Sequence, residues 1–225
     1  MTQRYFNVPL YMWILFILSS FIFIFFPHID IAVSDLFFND GKFIAKDTLV
    51  ERFFYRSIKP VLITVILFGL GVFTYNLVTK KNLFNINKRV IIYSFLVLSI
   101  APGLIVNSLL KQNWGRARPH QIVHYGGDKE FSAAFIPSDQ KGYSFSSGHV
   151  AAAFSLVGLA LLTQRKRKFW IALTITYAVL MSIARVSAGG HFFSDVITSF
   201  FIVYITTQIL YGYLIQNKTI TDKGL

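Results

Sequence analysis

A chain of 225 residues that is 54% hydrophobic and only 14% charged is too poor in polar surface for a soluble domain, where about a quarter of residues are charged. Its net charge of +12 sits in compact clusters beside apolar runs, not along a polar stripe interleaved with aromatics, which argues against a nucleic-acid-binding module and for a membrane. With no cysteine, a disulfide framework and a thiolate metal site are both excluded.

The first apolar run covers residues 10–26. A basic residue precedes it, as in a signal peptide, but no small-x-small cleavage site follows, so a retained membrane helix is expected. Residues 27–60 carry Asp30, Asp35, Asp40, Asp47 and Glu51 and cannot span. Their aromatic content suits short amphipathic helices in the interface, or a folded connection between two helices. Further spans are expected at 61–78, 90–110, 147–163, 169–183 and 191–215. No linker or repeat interrupts them. The fold expected is an all-α polytopic membrane protein, one domain over residues 1–225, built as a bundle of six transmembrane helices.

Lysine and arginine placement orients the bundle. With the N-terminus in the cytoplasm, the inside pieces are residues 1–9, 79–89, 164–168 and 216–225, 35 residues with 11 basic groups. They include KKNLFNINKR, RKRK, Lys218 and Lys223. The outside pieces, 27–60, 111–146 and 184–190, also hold 11 basic groups, but over 77 residues. Both termini are then cytoplasmic, and all three outer pieces lie on the opposite face of the membrane.

Three segments at that outer face carry chemistry. KQNWGRARP supplies Lys111 and Arg118, SFSSGH supplies Ser147, Gly148 and His149, and ARVSAGGHFFSD supplies Arg185, His191 and Asp195. Cations at Lys111, Arg118 and Arg185 suit a phosphate. Arg116 competes with Arg118 for that role, and spacing does not decide between them. His191 and Asp195 stand four apart, so on a helix Asp195 would accept from one ring nitrogen of His191 and leave the other free to attack. A buried polar pair at a helix start is the plainer alternative. Ser147 is either a helix N-cap or a phosphate contact, and Gly148 permits close backbone approach to an anion at a helix N-terminus. His149 is placed to protonate a leaving group if the fold brings it opposite His191. His28, His120 and His124 share the outer side, but none is paired at metal-ligand spacing.

Together the segments resemble the three signatures of the type 2 phosphatidic acid phosphatase family, K-x6-RP, P-SGH and SR-x5-H-x3-D. Ser146 stands where the family has Pro and Ala184 where it has Ser. The resemblance spans about residues 103–200. It implies a metal-independent, cofactor-free phosphatase of membrane lipids with its site at the periplasmic face. His191 would be the nucleophile that forms a phosphohistidine, Asp195 would orient it and His149 would be the acid. Lys111, Arg118, Ser147, Gly148 and Arg185 would hold the phosphate. PGLIVNSLLKQNWGRARP, GGDKEF and GGHFFSDVI are most similar to bacterial lipid A phosphatases, those acting at the 4′ position above all. Undecaprenyl pyrophosphate and phosphatidylglycerophosphate phosphatases share the same catalytic pieces. A transporter or scaffold that binds lipid headgroups without turnover is the alternative from another class.

Overall fold

The computed structural model describes residues 3–216. Lys218 and Lys223, counted above among the inside cations, lie outside the described residues. A short hairpin, β1 (Arg4–Tyr5) and β2 (Val8–Pro9) paired Arg4 to Pro9, leads into α1 (Leu10–Phe25). Pro27 then ends the helix: it lacks an N–H and drives Phe26 out of helical geometry (φ −124°, ψ 57°). The chain turns by 86° into α2 (His28–Asp35). A second hairpin follows, β3 (Phe38–Asn39) and β4 (Lys42–Phe43), closed by Asp40 and Gly41 at φ 49° and 76°. Asp-Gly with both residues at positive φ is the tight turn whose twist matches paired strands.

α3 (Leu49–Thr79) starts twelve residues before the span expected at 61. The Thr48 side chain accepts from the Glu51 N–H at 3.3 Å, which caps the first turn. Residues 27–60 are therefore a folded connection between α1 and the apolar part of α3, the second of the two expectations for this segment. They comprise α2, a hairpin and three turns of α3, and they bury Asp30, Ser34 and Phe43. α4 (Lys88–Ser99) runs through a π-helical stretch, Ile100–Leu110, into the short α5 (Lys111–Asn113). Pro102 sits in that stretch. It cannot donate to the ladder, and its own carbonyl accepts instead from Asn107 Nδ2 at 2.6 Å.

Residues 114–147 fold over the ends of the helices with only short 3₁₀ turns, Pro119–Gln121 and Val123–Tyr125. α6 (Gly148–Ala160), α7 (Arg167–Ser187) and α8 (Phe193–Tyr211) complete the chain. α6 lies in the middle, against α4, α7 and α8, with Val150, Ala151, Ala153 and Ala160 buried. Gly158 lets Thr207 and Val97 approach it closely. Small residues at such crossings let backbones pack tightly where lipid provides no hydrophobic drive.

Among the described residues, four helices are long and apolar enough to cross a membrane: Leu49–Thr79, Lys88–Asn113, Arg167–Ser187 and Phe193–Gln216. The bent pair of α1 and α2 makes up to five. The span expected at 147–163 is shorter than read, because α6 ends at Ala160, where the N–H groups of Leu162 and Thr163 fold back onto Leu159 and Ala160. At 13 residues it is about 20 Å long.

Candidate active site

The three signature segments converge where α6, α7 and α8 meet the 114–147 loop. Arg185 stands in the last turn of α7, and the turn Ala188–Phe192 carries His191 to the start of α8, where Asp195 sits in the first turn. The two glycines of this turn have different tasks. Gly189 adopts φ +65° with the Phe43 ring against its α-carbon. Gly190 leaves room for the Arg185 guanidinium, since a Cβ there would lie 2.3 Å from Nη2. His120 holds the turn from outside: its backbone N–H and ring Nδ1 both bond the Gly189 carbonyl, at 3.2 and 2.8 Å.

His191 is 1% exposed and lies just before α8, not on it. The hydrogen bond expected from helical spacing is accordingly displaced. Nδ1 donates to the Ser144 carbonyl at 2.8 Å, while Asp195 Oδ2 stands behind at 3.6 Å. A carbonyl can only accept, so this bond fixes the proton on Nδ1 and leaves the lone pair on Nε2. Burial, reinforced by the fields of Arg185 and Arg118 and opposed by Asp195, pushes the ring's affinity for a second proton well below the ordinary histidine value. His191 is therefore a neutral imidazole at physiological pH.

Asp195 has partners that spacing did not predict. It accepts from the Phe192 N–H at 2.9 Å, the Ser144 hydroxyl at 2.5 Å and Arg116 Nη1 at 2.6 Å. Arg116 is wholly buried, and its Nη2 reaches Asp30 on α2 at 2.8 Å. Arg116 and Arg118 are thus not interchangeable candidates. Arg116 is locked inside a network of carboxylates. Arg118 is half-buried, and it lies within electrostatic reach of Lys111, Arg185 and His191.

His149, in the first turn of α6, stacks on Tyr55 of α3 with centroids 4.4 Å apart. Arg185, Lys111, Lys59 and Arg118 all lie within electrostatic reach of it. Tyr55 also lies beneath Arg185, whose Cζ is 5.1 Å from the ring centroid. Arg185 Nη1 pairs with Glu51 Oε1 at 2.9 Å. Its Nε is buried without a partner among the described residues, as are the hydroxyls of Ser146 and Ser147. Ser147 therefore makes no side-chain cap, and Gly148 is tightly packed: a Cβ there would meet Asn107 Oδ1 at 2.5 Å. Unpartnered donors near Lys111, Arg118 and Arg185 at a helix N-terminus are chemistry that could hold an anion such as phosphate.

All eight residues of the sequence reading, His191, His149, Asp195, Lys111, Arg118, Ser147, Gly148 and Arg185, fall in this region. Reading by spacing missed Arg116 as the partner of Asp195, gave Asp30, Glu51 and His120 no place at the site, and did not single out Ser144, Tyr55 or Asn107. His28, His120 and His124 do not gather: His120 serves the 189 carbonyl and His124 pairs with Asp35 at 3.0 Å. Among the described residues no three His, Cys, Asp or Glu side chains group in a way that could hold a metal ion.

The PAP2 superfamily profile matches residues 92–218, which hold all three signatures. The chain belongs to this superfamily. A lipid A 4′-phosphatase of Francisella tularensis subsp. novicida is 36% identical over 223 residues, covering 94% of each protein. A lipid A 4′-phosphatase of Rhizobium leguminosarum is 35% identical over 103 residues, 44% of each chain. A lipid A 1-phosphatase of Rhizobium johnstonii is 41% identical over 98 residues, 42% of this chain and 36% of the relative. No solved structure matches. The PAP2 match leaves out residues 1–91, and so Asp30, Glu51 and Tyr55.

Proposed function

We propose that this PAP2 chain is a membrane-embedded lipid A phosphatase that removes a phosphate monoester through a phosphohistidine on His191. The observation that carries this reading is a buried His191 whose Nδ1 is held by the Ser144 carbonyl, near an Arg185 with a buried unpartnered donor. The Nε2 lone pair attacks phosphorus, the phosphorus–ester oxygen bond breaks, and His149 gives its proton to the departing sugar oxygen. Water then attacks phosphorus, His149 takes its proton, and the nitrogen–phosphorus bond breaks to restore His191. Lys111, Arg118, Arg185, the Ser147 hydroxyl and the first amides of α6 hold the three equatorial oxygens, where electrostatic stabilisation is the main catalytic term. Asp195, behind Nδ1, favours the cationic ring. No metal or cofactor enters these steps.

The whole chain acts as one domain in this reading, a bundle of six spans in which α1 and α6 cross with the four longer helices. The basic clusters at 80–89 and 165–168 support a cytoplasmic placement of those loops and a periplasmic site. Reporter fusions after Lys81 and Arg167 should read cytoplasmic, and one after Lys129 periplasmic; the reverse would move the site to the inner face. The 4′ position is favoured by the relative that covers 94% of the chain, and the 1 position by the shorter Rhizobium johnstonii match. Purified protein in detergent with excess chelator is given lipid A, undecaprenyl pyrophosphate and phosphatidylglycerophosphate in competition. Mass spectra should show loss of the 4′ phosphate from lipid A. Preference for either other lipid would overturn the substrate, and absence of turnover on all three would leave a headgroup-binding protein.

A further inference from the structure

Arg116 has more opposite charge around it than it can neutralise. It is fully buried, as are Asp30 and Asp195, the carboxylates on its two terminal nitrogens at 2.8 and 2.6 Å. Burial and the neighbouring Asp195 raise the proton affinity of the Asp30 carboxyl, against Arg116 and the Ser194 hydrogen bond, but three donors on its two oxygens fit the ionised form, so one cation stands between two anions and the cluster carries a net negative charge inside the protein, where removing ions from water is costly. Every polar atom of the cluster is otherwise satisfied. Arg116 Nη1 also donates to the Ser194 hydroxyl at 2.8 Å, Nε donates to the Ser132 carbonyl at 2.9 Å, and the Ser194 N–H and hydroxyl donate to Asp30 at 2.8 and 2.5 Å. The guanidinium is flanked by the rings of Phe192 and Phe131, with its Cζ 4.4 and 5.7 Å from their centroids. A structural staple between α2 and α8 would need only one carboxylate. Were Arg116 paired with Asp195 alone, the two charges would cancel as seen from His191.

We infer that Asp30 is a positioning residue for the catalytic chemistry. By taking half of Arg116, it leaves Asp195 with an uncompensated negative charge facing His191 as that ring turns cationic on accepting the phosphoryl group. The inference rests on His191 being the nucleophile. Arg185 from α7 and Arg118 from the 114–147 loop face the same ring and oppose its positive charge. Asp195 from α8 and the Ser144 carbonyl are the groups that favour it. The second carboxylate thus offsets cations that must be present to hold phosphate. Its residue comes from the segment at the bend after α1, so the outer part of the chain contributes to the rate and not only to the cover.

The test uses purified full-length protein in detergent micelles with lipid A as substrate. Asp30→Asn keeps the shape and removes the charge. Its amide N–H2 must face a buried donor on one side, so the melting temperature should fall by a few degrees, but well below the melt KM should stay within about twofold and kcat should drop by at least about tenfold. Ser194→Ala deletes a hydrogen bond to the same Asp30 oxygen but no charge, and should lower kcat no more than about threefold. Arg116→Gln leaves both carboxylates without their cation, so the His191 ring should hold a proton to higher pH and the acid limb of kcat/KM should move upward. A folding defect does not move that limb, so this variant carries the test if Asp30→Asn does not fold. A parental kcat in Asp30→Asn, equal losses in Asp30→Asn and Ser194→Ala, or an acid limb that stays put in Arg116→Gln would each overturn the inference. His191→Ala is the reference: turnover there sinks the nucleophile itself, whereas an inactive His191→Ala beside a fully active Asp30→Asn sinks this inference alone.

Discussion

Gly190→Ala should be a rate mutation with almost no effect on folding. A Cβ at this position would stand 2.3 Å from Arg185 Nη2 and 2.8 Å from Cζ. Ordinary carbon contacts begin near 3.5 Å, so the guanidinium must retreat by about 1 Å. Its bond to Glu51 is 2.9 Å long and cannot stretch that far, so the planar fork leaves the place where it would meet phosphate. A displacement of about 1 Å at a catalytic contact costs on the order of a hundredfold, or about 2.7 kcal/mol of barrier. The Gly190 backbone is not in the left-handed region, so alanine adds no conformational strain. Gly189→Ala is the contrast. Its φ of +65° disfavours alanine by about 1–2 kcal/mol, and the Phe43 ring lies 2.4 Å from the new Cβ. Phosphate release from lipid A at saturating and limiting substrate, with thermal melts of the same preparations, separates the two. Gly190→Ala should melt like the parent and lose about a hundredfold in kcat/KM. Gly189→Ala should melt several degrees lower. Parental activity in Gly190→Ala would mean that Arg185 does not hold phosphate in the orientation described.

His191→Ala should abolish turnover, and Asp195→Asn should lower kcat by about two orders of magnitude or more in rapid-quench phosphate-release measurements. Arg118→Lys should lose most of kcat, because a point charge cannot replace the fork; Arg116→Lys, which the family signature leaves outside the site, should lower both melting temperature and kcat, since an ammonium cannot bridge two buried carboxylates. The acid limb of kcat/KM should lie below the ordinary histidine range of about 6.5: a ring whose proton affinity is depressed by burial stays neutral as pH falls through that value, so activity is lost only at lower pH. A pH–rate profile of the purified protein with its acid limb above 6.5 would contradict the burial of His191.

The signature residues were legible because their chemistry and spacing are local, and each segment places its own side chains. What ties the segments together was not. Arg116 meets Asp195 and Asp30 across 79 and 86 residues, and Arg185 meets Glu51 across 134. No periodicity encodes such pairings, so within GRARP only the resemblance to the K-x6-RP signature ranked Arg118 above Arg116, and nothing pointed to the partners of Arg116. The displaced hydrogen bond of His191 has a similar origin. Spacing of four implies one helical face only if the helix has begun, and here Gly189 and Gly190 delay it to Phe193. Two features were readable and passed over. T-L-V-E at 48–51 is a helix-start pattern that announces α3 well before its apolar stretch, and D-G at 40–41 announces the β3–β4 turn. The shortness of α6 was hidden because apolar residues continue past the point where the backbone leaves the helix.

The contact between Asn107 and Gly148 limits how this site can be transplanted. Asn107 is fixed by its bond to the Pro102 carbonyl, and it fills the space that any side chain at 148 would need. The start of α6 is thus moulded against a π-helical turn on a different helix, whose irregularity comes from a proline five residues upstream. Grafting the three signature segments onto a regular helical bundle would carry the catalytic groups but not the mould. A designer would have to bring Pro102 and Asn107 along, and a natural lineage that lost either would have to reshape the start of α6 in the same step.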